Sequence, residues 1–183
     1  MVDAGQWEQK SFGAVAGLPA IAREQRKYVF LWDRQGSVQS YFQYRGSLCS
    51  LAPEIVKKSA GMQDVSAVLE KLRVHLVVAM RDGADTMIDL DKTSPNFLTE
   101  VTDESTFDAS LVFNYEEWAK HENYIRFVKE EENVSKGGLN PGHYSRDPNF
   151  CLLIRSSADN AEELALQTAN IPGFDDMIKV VVQ

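Results

Sequence analysis

Cysteine is scarce. The 183-residue chain holds two, Cys49 and Cys151, and neither sits in a Cys-x-x-Cys pair, which excludes a thiolate zinc knuckle and a disulfide-stapled scaffold. Both lie in apolar runs, where a free thiol behaves as a small buried hydrophobe, so a reducing, cytoplasmic compartment is expected. Histidine is equally sparse: His75, His121 and His143 are too far apart to supply a local ligand pair, and no metal site is expected. A Gly-x-Ser-x-Gly turn is absent too, which removes the usual seat of a serine nucleophile. Basic runs reach no further than Lys57-Lys58 or the spaced set Arg23, Arg26 and Lys27. With 27 acidic against 19 basic side chains and a net charge of -8, the chain would repel a phosphate backbone, so neither nucleic acid nor an anionic membrane surface is an expected partner. No segment approaches the roughly 20 apolar residues of a membrane span, and the first ten residues are polar and lack the apolar stretch of a secretory leader.

What is present is an ordinary globular composition, 44% hydrophobic and 25% charged, of a length that suits one core. Residues 1–26 carry Gly13, Gly17 and Pro19 and read as an N-terminal arm or docking segment, with Trp7, Phe12 and Leu18 as anchors. Residues 27–183 read as a single α/β domain. Its first strand is the β-favouring run Tyr28-Val29-Phe30-Leu31-Trp32. Short apolar runs at 47–51, 86–90, 150–154 and 178–182 supply four more strands. Between them, residues 64–80 place Val65, Val68, Leu69, Leu72, Leu76, Val77 and Met80 at helical spacing before Gly83, and residues 53–59 and 159–169 read as further helices. A further, aromatic-rich helix is expected from Tyr115 to about Glu132, and residues 92–110 and 136–148 read as loops. Strands alternating with helices predict a three-layer α/β fold, a mostly parallel five-stranded sheet with helices on both faces.

The stretch after the first strand, Asp33-Arg34-Gln35-Gly36-Ser37-Val38-Gln39-Ser40, has the position and length of a phosphate-binding loop, G-x-x-x-x-G-K-[ST]. Asp33 stands where the first glycine belongs, Val38 where the second does, and Gln39 replaces the lysine. With Thr86-Met87-Ile88-Asp89-Leu90-Asp91 as an apolar strand ending in carboxylates, and Cys151-Leu152-Leu153-Ile154-Arg155-Ser156 as a strand with a polar tip, the order of elements resembles a P-loop NTPase of AAA type over residues 28–182. The resemblance implies a vestigial nucleotide site at Gly36, Ser37, Gln39, Ser40 and Asp91, with Asp91 at the magnesium position and Ser156 or Arg155 at the sensor. Lys92 stands where a hydrolysing member carries glutamate. These departures imply no catalytic residues and no cofactor beyond weak nucleotide with magnesium. Without the resemblance, Asp33 and Gly36 read as a β-turn, Asp89 and Asp91 as solvent-facing strand ends, and Ser156 as a turn cap.

Trp118, Tyr115, Tyr124 and Arg126 are of the residue types enriched at binding hot spots, although helical periodicity alone favours packing of the aromatics on the sheet. The expectation is therefore a non-catalytic binding or scaffold subunit on a degenerate P-loop NTPase-like core, held to a protein partner or larger assembly. The alternatives are a nucleotide-dependent NTPase or kinase-like enzyme, in which Ser40 and Asp91 hold magnesium and Arg34 or Lys92 replaces the lysine, and a plain interaction domain.

Overall fold

Four consecutive residues, Val29 to Trp32, are buried on both sides. That places their strand in the interior of a sheet covered on both faces. In the computed structural model, which describes residues 7–45 and 47–183, this strand (β2, Val29–Trp32) is flanked in parallel by β5 (Cys151–Ser156) and β6 (Ile178–Val182). Beyond β5 lie β4 (Asp85–Asp91) and then β3 (Ser47–Ser50), also parallel. The opposite edge is β1 (Glu8–Lys10), parallel to β6. The sheet thus has six strands in the order β1-β6-β2-β5-β4-β3, one more than the apolar runs predict. Glu8, Gln9 and Lys10 join through backbone pairing to Val180, Val181 and Val182 and carry no apolar signature that could announce them.

Period-two alternation divides the core. Val29, Leu31, Met87, Cys151, Leu153, Val180 and Val182 face one layer, built from α1 (Leu18–Gln25) and α2 (Ser37–Arg45). Phe30, Trp32, Ile88, Leu90, Leu152, Ile154 and Val181 face the other, where α4 (Val65–Asp82) and α8 (Ala161–Thr168) lie beside α3 (Ala52–Ser59). Each such side chain stabilises the fold by roughly 1.5–3 kcal/mol when fully buried. Trp7 and Leu18, from the segment read as an arm, are buried in these two layers, whereas Phe12 is exposed and rests edge-on against Tyr41.

The longest helix, α4, turns Val68, Leu69, Leu72, Leu76 and Met80 inward and stops at Gly83, whose φ of 70° is left-handed, the usual glycine terminator. Helix α8 starts on Asn160, whose side-chain oxygen accepts from Glu162 N and Glu163 N, both at 3.0 Å.

The aromatic helix expected over 115–132 is broken. Residues 109–132 form α5 (Ala109–Val112), α6 (Tyr115–Trp118), α7 (His121–Tyr124) and two 3-10 turns, Ile125–Phe127 and Glu130–Glu132. Lys120 and Val128 adopt extended backbone at the breaks. The Glu117 carbonyl accepts from Lys120 N at 3.2 Å and from Asn123 Nδ2 at 2.8 Å. Arg73 ties this segment to α4, donating to Phe127 O at 2.7 Å and pairing with Glu132. The loop after β4 is likewise packed: Phe97, Phe107 and Phe113 contact one another in the core.

Candidate functional site

The connections from β2 and β5 leave the sheet in opposite directions. The chain passes from β2 through α2 on one face toward β3, and from β5 through α8 on the other face toward β6. The crevice between two such adjacent strands, outside their carboxyl ends, is where open α/β sheets bind ligands. Asp33, Asp89 and Arg155 meet there, each no more than 2% exposed.

Asp33 extends β2 by one backbone bond, its N–H donating to Ser156 O at 2.9 Å. Its carboxylate then turns onto the start of α2. Oδ1 accepts from Gly36 N at 3.2 Å and Ser37 Oγ at 3.4 Å, and Oδ2 accepts from Val38 N at 3.0 Å. Gly36 N and Val38 N are of the kind that a helix start offers to an anion. Arg155 closes the other side: Nε donates to Asp33 Oδ2 at 3.0 Å, Nη2 to Asp33 O at 2.9 Å, and Nη1 to Asp89 Oδ1 at 2.7 Å. Asp89 Oδ1 also accepts from Asp91 N at 3.1 Å. Burial raises the Asp89 carboxyl above its ordinary value while Arg155 draws it back. Burial works against the Arg155 charge as well, but the two carboxylates more than offset it, and its affinity for the proton rises. The crevice is therefore filled by the protein's own ions, with two carboxylates on one guanidinium.

The positions expected at a nucleotide site distribute as follows. Gly36 N and Ser37 Oγ serve the Asp33 carboxylate. Gln39 is half-buried and Ser40 exposed, both within α2. Asp91 is exposed, with a left-handed φ of 49° at a register shift between Asp89 and Asp91, and its Oδ1 accepts from Ser157 Oγ. The bulge reverses the usual alternation, so Asp89, not Asp91, reaches the crevice. Lys92 is on the surface and pairs with Asp159 at 2.7 Å. Ser156 donates to Gln167 Oε1, and Gln167 Nε2 in turn holds Asp91 O and Thr93 O at 3.0 and 2.7 Å.

Of the interface candidates, Trp118 is 1% exposed and packs on Phe127. Tyr124 is buried against Tyr144, and Tyr115 is half-buried against Tyr28. Arg126 alone of the four is exposed; it lies over the Phe127 ring and donates to Glu104 O.

Sequence reasoning treated Asp33 as a lost glycine and missed its part as an anchor. Two signals were available. An Asp three residues before a Gly-Ser at a helix start is a capping pattern, and an arginine inside the run Cys-Leu-Leu-Ile-Arg-Ser requires a buried acid. Among the described residues, no group of three or more His, Cys, Asp or Glu is arranged to hold a metal ion, and no helix is long and apolar enough to cross a membrane. No family model, curated protein or solved structure matches this chain.

Proposed function

We propose that the chain is a non-catalytic binding or scaffold subunit on a degenerate P-loop NTPase-like core, whose phosphate position is taken by its own carboxylate. The observation that carries this reading is the Asp33 side chain. It accepts from two backbone N–H groups, Gly36 N and Val38 N, at the start of α2 and from Arg155 Nε, the two kinds of contact a bound phosphate would make. A tethered anion competes at very high effective concentration, and a nucleotide would have to displace it and leave the buried Asp33 carboxylate without its partners. The position of β2, an interior parallel strand leading straight into a loop and a helix at the switch point, supports the P-loop comparison.

With no lysine at Gln39 and with Asp91 engaged by Ser157, what remains to such a core is its surface. Tyr44 at 85% exposure on α2, Leu139 at 80% in the long loop and Leu98 at 52% in the central loop are among the apolar groups available to a partner. Isothermal titration of the chain with ATP and magnesium tests the reading. No binding heat at micromolar concentration is expected, and micromolar binding with phosphate release would overturn it in favour of a working nucleotide-dependent enzyme.

A further inference from the structure

A second concavity lies at the other end of the sheet, by the amino ends of β2 and β6. It has a volume of about 510 Å³ and is lined by residues that include Arg26, Tyr28, Phe113, Tyr115, Glu116 and Met177. Arg26 and Glu116 already satisfy each other across it through two hydrogen bonds. The donors beside it do not. The Tyr28 hydroxyl is buried without a hydrogen-bond partner, and so are Nε and Nη2 of Arg146. Tyr28 as a whole is 1% exposed. Burial pushes its hydroxyl well above the ordinary tyrosine range, with the nearby Arg146 guanidinium opposing the shift.

One aromatic ring joins these groups to the concavity. Tyr115 lines it, packs tilted against Tyr28 at 5.1 Å between ring centroids, and lies under the Arg146 guanidinium at 5.4 Å. Phe150 lies against the same guanidinium at 5.2 Å. Nε and Nη2 form one edge of the guanidinium, the two-donor fork that matches a carboxylate or a phosphate. Unpartnered buried donors carry a desolvation cost that an acceptor removes. Arg146 stands behind the half-buried Tyr115 ring rather than on the concavity's wall, so an acid entering from the concavity reaches it only when that ring, on the four-residue α6, turns aside.

We propose that this concavity is a binding site for a small aromatic or apolar molecule bearing an oxyanion, its acid on Arg146 Nε and Nη2 and on the Tyr28 hydroxyl, its body against Tyr115 and Phe113. The site is independent of the Asp33 crevice, which lies at the opposite end of β2.

The test is a solution NMR titration of the intact chain with sodium benzoate and, separately, with inorganic phosphate. Saturable shifts at Tyr28, Tyr115 and Arg146 are expected, with a Kd of about 1 mM or tighter for at least one probe. Benzoate alone saturating would assign a carboxylate ligand, phosphate alone a phosphate ester, and both a general oxyanion site. Arg146→Gln should weaken binding at least about tenfold, and Tyr28→Phe about fivefold. Tyr28→Phe should also leave the ligand-free thermal midpoint unchanged or raise it, since it removes an unpartnered group, and so it serves where Arg146→Gln fails to fold. Linear, unsaturated shifts, shifts centred elsewhere, or equal affinity in the Tyr28→Phe variant would overturn the proposal.

Discussion

Arg155 Nε lies 3.0 Å from Asp33 Oδ2 across two adjacent parallel strands, and the two side chains are 2% and 0% exposed. Asp89 adds a second carboxylate at 2.7 Å from Nη1. Removing the cation leaves both acids buried without a counter-charge, so Arg155→Ala is expected to cost about 3–5 kcal/mol in urea unfolding. A much smaller loss would mean that water reaches the crevice.

Asp33→Gly vacates the start of α2 and one face of Arg155 together. The variant should lose about 1–2 kcal/mol with its cap and recover part of that loss in phosphate or formate, which replace the missing carboxylate. Wild-type protein should show no such rescue. Thermal midpoints measured across a phosphate series, with chloride as the control for ionic strength, check both halves.

Acid should destabilise the chain in two windows. His75 is largely buried, and its Nε2 contacts Thr86 Oγ1 at 2.6 Å and Ser47 Oγ at 3.3 Å. The Thr86 hydroxyl also reaches Ser47 O at 3.0 Å. Burial pulls the imidazole pKa down from 6.5 to about 4. Between those values the unfolded chain binds a proton that the folded chain refuses, so stability falls as pH drops from 6.5 toward 4, by on the order of 3 kcal/mol. Glu54, held by Lys71 first and by Gln63 and Lys57, has its pKa lowered from 4.5 to about 2. Its contribution is present above pH 4.5 and is lost as pH falls toward 2. His75→Gln should remove the first window and spare the second in unfolding curves taken at each pH.

Gly83 ends α4 with φ of 70°, and a β-carbon there would meet Asp147 Cγ at 2.6 Å. Gly83→Ala is expected to cost about 1–2 kcal/mol from the left-handed backbone alone. It should also disturb the Lys136–Asp147 pair. Urea midpoints compared with those of Gly61→Ala, where nothing stands within 4 Å of the added carbon, separate the steric part from the backbone part.

Trp118→Ala should behave as a core truncation, losing about 3–5 kcal/mol. Tyr44→Ala, at a side chain that is 85% exposed, should change stability by no more than about 0.5 kcal/mol. Chemical denaturation of the two variants distinguishes a packed aromatic from one left for a partner.

Much of this architecture was legible because it is written locally. The runs at Val29–Trp32, Cys151–Ser156 and Ile178–Val182 are strands for the reason they look like strands: they are β-favouring, apolar and fenced by turn residues. The α4 stripe and its glycine stop were equally plain. What stayed hidden depends on partners distant in sequence. The edge strand Glu8–Lys10 contributes only its backbone, which no side-chain pattern reports. The spacing of Tyr115, Trp118, Tyr124 and Phe127 imitates a continuous helix, but Arg73 and the core draw the segment into short turns that the local pattern does not specify. The carboxylate that Arg155 required could be anticipated, but not that it would be Asp33, 122 residues earlier.

The neighbours of β2 have a consequence for how the chain comes to be folded. Among the described residues Val29–Trp32 pairs with residues 153–156 and 178–181, so the first core strand synthesised is among the last to be completed. Pairing across such separations is slow, because the loop-closure entropy is lost before any contact compensates for it. A growing chain that has not yet reached Ile178 leaves one edge of its most apolar strand bare, the form in which sheets recruit foreign strands. Aggregation of this protein should therefore be governed less by the stability of the finished fold than by the time spent waiting for its last strand.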